Sequence, residues 1–432
     1  MTAQSTLFTN VELSDDTKTN IGVSGELITY IGHESTGFDA VIDCSGLKAL
    51  SGFVDLHTHL REPGFEQSET ILTGSKAAAM GGFTCVHPMA NTNPVADNSA
   101  VVEQVHALGL SAGYVQVQPI GAVTSNLEGK KLADLGKMNA SAANVTVFSD
   151  DGKCVSDSLV MRRALEYVKA FGGVIAQHAQ DPLLTVNAQM NESSLSLKLG
   201  LIGWPAVAEE AIIARDVLLT EEVGSRLHVC HVSTKGSVDV IRWAKSRGIN
   251  VTAEATPHHL ILTEDLVSSY NPIYKVNPPL RSQEDVEALR QAVADGTIDI
   301  VATDHAPHTA DSKDCEWGEA AFGMVGLETA AAIVKTTLID TGLIDWKRFE
   351  EVLSTTPSKI SGLGDQGQSL KVGSFANIVF FDPSTSFEVS EVSQSKSNNK
   401  PYLGLKLSGT VVHTLFKGTL TVKNSTIQEL GN

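Results

Sequence analysis

GFVDLHTH (Gly52–His59) is a short, mostly apolar run closed by His57 and followed, one residue on, by His59. Seven runs of the same kind come after it: GFTCVH (Gly82–His87), YVQVQPI (Tyr114–Ile120), NVTVFS (Asn144–Ser149), GVIAQH (Gly173–His178), RLHVCH (Arg226–His231), NVTAEA (Asn250–Ala255) and IDIVAT (Ile298–Thr303). Runs this short, rich in β-branched residues and without strict alternation, suit parallel strands buried on both faces. Amphipathic stretches lie between or after them, among them Ser156–Phe171, Ala206–Val223, Lys235–Arg247 and Gly326–Leu338. Eight strands each followed by helix predict an α/β fold, a (β/α)8 TIM barrel, over residues 51–365. A doubly wound open sheet is the alternative, but no GxGxxG opens the first unit.

The flanks differ. NIGVSGELITYIG (Asn20–Gly32), LKVGSFANIVFFDP (Leu370–Pro383) and GTVVHTLFKGTLTVKN (Gly409–Asn424) have the short runs and glycine turns of a β-meander. They predict one small β-sandwich domain assembled from residues 1–50 and 366–432. The 432 residues therefore form a large barrel with a composite β domain, rather than domains in series. Ser384–Lys400 is the most polar stretch and is expected to be a surface loop.

Lys and Arg number 32 against 50 Asp and Glu, a net charge of −18. With no basic block, the chain is a poor partner for nucleic acid or an anionic membrane. No stretch approaches the ~20 apolar residues of a membrane span. MTAQSTLFTN (Met1–Asn10) lacks a basic start and an apolar centre, so no secretory signal is expected and the cytoplasm is the expected location. The five cysteines are scattered and form no CxxC, which argues against a disulfide framework or a cysteine zinc site.

Barrel chemistry sits where the strands end. His57 and His59 close the first strand, and alternate residues face one way, so both imidazoles can reach one metal. Asp151 follows the fourth strand, His178 ends the fifth, His231 ends the sixth and Asp304 follows the eighth. Four imidazoles and two carboxylates without a thiolate suit zinc or a similar divalent ion. Six ligands, one able to bridge, suffice for two ions. Arg61, two residues past His59, points the same way and can fork onto an anion; a rim salt bridge is its other reading. His87 and His228 read as structural, and His33, His106 and His413 lie off the rim. His258, His259 and His305 stay open between supporting and structural roles. Thr309–Ala321 is polar and aperiodic, and is expected to be a mobile loop near the substrate.

GFVDLHTHLREPG (Gly52–Gly64) closely resembles the Asp-x-His-x-His-Leu-Arg-x-Pro-Gly signature of the amidohydrolase superfamily in its dihydroorotase form. MANTNPVADN (Met89–Asn98), FSDDG (Phe148–Gly152), IAQHAQDP (Ile175–Pro182), VNPPLR (Val276–Arg281) and ATDHAPH (Ala302–His308) match in order. The resemblance, to the class I bacterial dihydroorotase family in its aspartate-bridged branch, covers nearly the whole chain. It implies one zinc on His57, His59 and Asp304, and a second on His178 and His231. Asp151, preferred to Asp150, is the implied bridge. Hydantoinases, allantoinases and many dihydroorotases bridge instead with a carboxylated lysine on the fourth strand. No lysine lies between Asn139 and Gly152, so either Asp151 bridges two Zn2+ per subunit or only one ion is held.

The resemblance further implies reversible cyclisation of N-carbamoyl-L-aspartate to L-dihydroorotate plus water, in de novo pyrimidine (UMP) biosynthesis. A metal-activated hydroxide would be the nucleophile and Asp304 the general acid/base. Asn91, Asn277, His308 and the backbone of Phe322 and Gly323 would join Arg61 in holding the substrate. A homodimer is the family habit, and some members pair with aspartate transcarbamoylase. Two rivals remain. One is a related hydantoinase or allantoinase, disfavoured by Arg61 and the missing lysine. The other is an inactive scaffold for aspartate transcarbamoylase, disfavoured by the full ligand set.

Overall fold

The computed structural model describes residues 5–34 and 37–430. Residues 1–4, 35, 36, 431 and 432 lie outside the described residues, and with them parts of the expected composite domain and of the stretch read for a leader. Each apolar run forms a strand: β1 (Phe53–Thr58), β2 (Phe83–Pro88), β3 (Gln116–Val117), β4 (Val147–Phe148), β5 (Val174–Gln177), β6 (Leu227–Val229), β7 (Val251–Ala255) and β8 (Ile300–Val301). All neighbouring pairs are parallel, in the registers Val54↔Cys85, Cys85↔Gln116, Ile175↔Phe148, Ile175↔Leu227, Leu227↔Val251 and Glu254↔Ile300. Parallel bridges Gly121↔Phe148 and Thr58↔His305 close the ring between β3 and β4 and between β8 and β1. A closed (β/α)8 barrel results.

Local chemistry sets the helix ends. Asp157 accepts from the Leu159 and Val160 amides and starts Ser158–Lys169. Ser282 and Asp285 form a reciprocal cap on Gln283–Asp295, which stops at Gly296 with φ 83°. These bonds satisfy amide groups that a helix start leaves unpaired. The helices bury their apolar residues against the strands; Val217, Val229, Val238, Ile241, Val251 and Leu289 share one core cluster. The stretch expected as a helix over Gly326–Leu338 is helical at Ala330–Val334 and continues in a wider turn, Lys335–Ile339.

The two ends of the chain share one hydrogen-bonded sheet. Ser5–Glu12, Lys18–Ser24, Leu27–Gly32, Ala40–Asp43 and Lys48–Ser51 come from one end, and Ile378–Glu388, Lys406–Phe416, Thr419–Lys423 and Thr426–Ile427 from the other. The seam is antiparallel, with Leu50 opposite Val379. Across it the Phe8 and Phe380 rings stack with centroids 4.6 Å apart, amid Val11, Ile21, Ile28, Ala49, Ile378 and Leu415. Gly52 links this sheet to β1; a Cβ there would sit 2.4 Å from the Thr84 side chain.

The structure sharpens two expectations about loops. Ser384–Lys400 is a surface loop only in part: Ser384, Ser390, Glu391, Val392, Lys396 and Asn398 are exposed. Its first residues extend the strand Ile378–Glu388, and Ser395, Ser397, Asn399 and Lys400 are buried. The sequence misleads because these polar groups are buried by hydrogen bonding, not by apolarity. Thr309–Ala321 is likewise anchored. It contains the helix Ala310–Lys313. Lys313 Nζ donates to the Pro272 and Lys275 carbonyls at 3.0 and 2.9 Å. Lys275 Nζ donates in return to the Trp317 and Gly318 carbonyls at 2.6 and 3.1 Å.

Phe380→Ala is expected to cost about 3–5 kcal/mol, the range for truncating a buried aromatic, and to lower the urea midpoint of unfolding. A midpoint equal to that of the parent chain would show that the seam carries little stability.

Candidate metal centre

His57, in β1, is fully buried, and its Nδ1 lies 2.6 Å from Glu254 Oε1 of β7. Donation of Nδ1–H to Glu254 leaves the Nε2 lone pair inward. Nε2 has no hydrogen-bond partner and lies 3.3 Å from Asp151 Oδ1 and 3.5 Å from Asp304 Oδ1. His59 repeats the arrangement: Nδ1–H donates to Asn91 Oδ1 at 3.0 Å, and Nε2 faces Asp304 Oδ1 at 3.1 Å and Asp151 Oδ2 at 3.3 Å. His178, just past β5, donates Nε2–H to Gln180 Oε1 at 2.7 Å and turns Nδ1 toward Asp151 Oδ1 at 3.2 Å. His231 Nε2 stands 3.3 Å from the same oxygen and 2.8 Å from His178 Nδ1.

Three imidazoles thus spend one ring N–H on an outward acceptor and aim a lone pair at a carboxylate. Lone pair against carboxylate is repulsive unless a cation lies between. Zinc–ligand bonds of about 2.0–2.2 Å in a tetrahedron put ligand atoms about 3.3–3.6 Å apart. The imidazole–carboxylate separations of 3.1–3.5 Å fall close to that spacing. Two triads gather their ligand atoms on one point each, His57–His59–Asp151 and Asp151–His178–His231, and Asp151 belongs to both; in the second, His178 Nδ1 and His231 Nε2 stand 2.8 Å apart, tighter than the zinc spacing. The residues present therefore fit a divalent metal.

Asp150 faces elsewhere. It accepts from the Val123 and Thr124 amides at 2.8 and 2.9 Å and from the Thr124 hydroxyl, fixing the turn after β3. Cys230 lies near His57 and Glu254, and burial pushes its thiol well above the usual range.

The electrostatics follow the geometry. With protons in place of a metal on the inward nitrogens, the cost of burial is outweighed by the His57 charge and hydrogen bonds from His178 and His231, which hold the Asp151 carboxyl well below the usual carboxylate range. Asp304 is lowered in the same way by His57 and His59 against its burial. Burial would lower His57, yet Asp151, Asp304 and Glu254 raise it well above the ordinary imidazole value. Glu254 is held at about 2 by His57 and His228 against its own burial. Such a cluster attracts cations, and protons compete with metal for the same lone pairs.

The backbone around the centre is held in unusual conformations. Arg61, His231 and Asp304 have φ of 63°, 31° and 47°, a region that non-glycine residues adopt uncommonly. Glu254 Oε1 accepts from the His231 amide at 3.2 Å. Asp55 accepts from the His57 and Thr303 amides at 3.1 and 3.0 Å, tying β1 to the end of β8.

The expected substrate contacts line the same rim. Arg61 Nε donates to the Pro307 carbonyl at 3.1 Å, and no carboxylate lies within 4.0 Å of its guanidinium among the described residues. Its salt-bridge reading therefore falls away. His308 donates Nε2–H to the Phe322 carbonyl at 2.8 Å, with Arg61 Nη2 at 3.3 Å. Burial and the Arg61 charge pull His308 down to about 3, so the ring is neutral. Gly323, at φ 145°, passes so close that a Cβ would lie 2.7 Å from His308 Nε2. Asn277 Nδ2 donates to Gln180 Oε1 at 3.1 Å, leaving its buried Oδ1 unpartnered.

Of the histidines left open, His305 accepts from the Gly326 amide at 3.2 Å and reaches Glu69 at 3.4 Å. His259 bonds to Thr256 Oγ1 at 2.8 Å. His258 Nε2 is buried without a partner. Sequence reasoning missed Glu254 and Gln180. The signals were present: a lone glutamate in an apolar strand, and a polar residue two past His178, as Arg61 is two past His59.

The profile of the dihydro-orotase-like family matches residues 47–237. The chain is 60% identical over 431 residues to a dihydroorotase of Leifsonia xyli subsp. xyli, covering 99% of this chain and 98% of that one. It is 50% identical over 389 residues to a dihydroorotase of Mycobacterium tuberculosis, covering 90% of each. Among solved structures, an L-hydantoinase from Arthrobacter aurescens superposes with a TM-score of 0.88 at 25% identity, over 99% of this chain and 98% of that one. A dihydropyrimidinase from Brevibacillus agri superposes with a TM-score of 0.84 at 24% identity, over 98% and 96%, and shows the shared fold.

Asp151→Ala is expected to remove most bound metal after a chelator wash that the parent chain withstands, whereas Asp150→Ala keeps the parent's metal content. Equal metal in the two variants, by elemental analysis, would contradict the placement of Asp151 at the centre.

Proposed function

The chain belongs to the dihydroorotase family, and on that premise we propose how its rim interconverts N-carbamoyl-L-aspartate and L-dihydroorotate in pyrimidine biosynthesis. One observation carries the reading: Asp151 stands between two pairs of imidazoles while Arg61, with no carboxylate partner, stands beside them. The donor set supports zinc, with His57, His59 and Asp304 holding one ion, His178 and His231 a second, and Asp151 joining the two. When bound, the metal supplies an acidified water and polarises the amide carbonyl.

The chain's own residues do the rest. Asp304, ionised and 3.1 Å from His59, accepts the proton of the attacking water and passes it to the leaving ring nitrogen. In the synthetic direction it takes the proton of the ureido nitrogen. Arg61 forks onto the substrate carboxylate, a charge-assisted pair that fixes the ring in register. Asn91, while orienting His59, keeps its amide NH2 for the substrate, and Asn277 offers Oδ1. His308 and the Phe322–Gly323 backbone bound the ring on the remaining side. A hydantoinase reading gains support from the solved neighbours but leaves Arg61 without an anion to bind.

The remaining readings concern assembly and place. A homodimer is the assembly proposed; sedimentation of the purified chain separates one copy from two. Nothing among the described residues favours aspartate transcarbamoylase over a second copy. The five cysteines are free, which supports a reducing compartment such as the cytoplasm. Among the described residues, no helix is long and apolar enough to cross a membrane.

Asp304→Asn is expected to lower kcat about 10²–10⁴-fold, the usual contribution of a general acid/base, with the fold intact by circular dichroism. Near-parent turnover would remove Asp304 from this role. Arg61→Met is expected to raise KM for dihydroorotate about 10–100-fold, as loss of hydrogen bonds to a charged partner does. Hydantoin, which lacks the carboxylate, should be a poorer substrate than dihydroorotate for the parent chain; the reverse order contradicts the substrate assignment.

A further inference from the structure

We propose that Asn399 is a positioning residue for substrate recognition, acting through the backbone of His308 and Gly323. The proposal rests on the reading of those two residues as substrate contacts. Asn399 lies in the polar stretch carried by the C-terminal segment and is buried. Its Oδ1 accepts from the His308 amide at 3.1 Å. Its Nδ2 donates to the Ala306 carbonyl at 2.9 Å and the Gly323 carbonyl at 3.1 Å. Its backbone carbonyl accepts from the Val325 amide at 3.2 Å. One side chain therefore satisfies groups on both loops that frame the expected ring site, and no other residue type offers one acceptor and two donors at that length.

The tolerance of the site explains why such a clamp matters. His308 Nε2 bonds to Phe322, and the neighbouring Gly323 has no room for a Cβ. A shift of either loop by a few tenths of an ångström would change both contacts together. The strap that carries Asn399 has independent anchors. Ser395 Oγ and the Lys396 amide bond to Glu69, the latter at 3.0 Å. Ser397 Oγ donates to the Ser68 carbonyl at 2.6 Å, and Ser393 Oγ to Glu328 at 2.6 Å. Lys400 Nζ donates to the carbonyls of Ser390, Glu391 and Val392. Removal of the Asn399 amide thus loosens the two loops without freeing the strap.

The test compares the parent chain, Asn399→Ala, His308→Ala and the double variant in dihydroorotate hydrolysis, with metal content measured on each. Asn399→Ala is expected to raise KM about tenfold or more, as unpaired buried groups do, with kcat within about threefold of the parent and metal content unchanged. The KM effect should shrink in the His308→Ala background, because part of it passes through His308. Asn399→Gln, which keeps one acceptor and two donors on a longer stem, should fall between parent and alanine and serves if the alanine variant does not fold. An unchanged KM, an undiminished effect in the His308→Ala background, or a parallel loss of metal and kcat overturns the proposal. Parent KM in His308→Ala overturns the substrate-contact reading itself, and this proposal with it.

Discussion

Asp151 is the constraint from which the rest follows. Its carboxylate lies 3.2–3.3 Å from nitrogens of His57, His59, His178 and His231. A buried anion is costly unless paired and hydrogen-bonded, and four lone-pair donors around it are satisfied only by cations. The barrel provides the geometry because strands that close a ring bring their ends to one rim. His231 and Asp304 adopt left-handed backbone, and the surrounding bonds hold them there.

Those bonds form a supporting layer. Glu254 receives His57, the His231 amide and His228. Asn91 receives His59, and Gln180 receives both His178 and Asn277. Each acceptor decides which ring nitrogen faces inward, so ligand identity and tautomer are specified by different residues. Gln180 and Asn91 also join the metal side to the substrate side: the groups expected to touch the ring share acceptors with the groups that would hold metal. Disturbance on one side is therefore transmitted to the other.

The barrel and the convergence of its strand-end histidines on one rim are legible because their signals are local. A buried strand needs a short apolar run, and a strand-end histidine sits at its edge; His57, His178 and His231 are visible on that rule alone. Glu254 was harder, since its role depends on which neighbour it faces across β6 and β7. The strap around Asn399 was illegible for a different reason. Polarity signals exposure only when water is the partner, and here carbonyls, Glu69 and Glu328 replace water. Lys313 and Lys275 mislead in the same way: a polar loop looks free until Lys313 Nζ is seen on the Pro272 and Lys275 carbonyls and Lys275 Nζ on those of Trp317 and Gly318. The net charge of −18 also pointed away from an anionic substrate, whereas the rim places Arg61 and a cation-seeking cluster inside an acidic protein.

The central claim is that Asp151 joins two metal ions. Anomalous diffraction at the zinc edge, on crystals of the zinc-loaded chain, tests it most directly. The account predicts two peaks flanking the Asp151 carboxylate, one beside His57 and His59 and the other beside His178 and His231. A single peak, or peaks that do not touch Asp151, would contradict it.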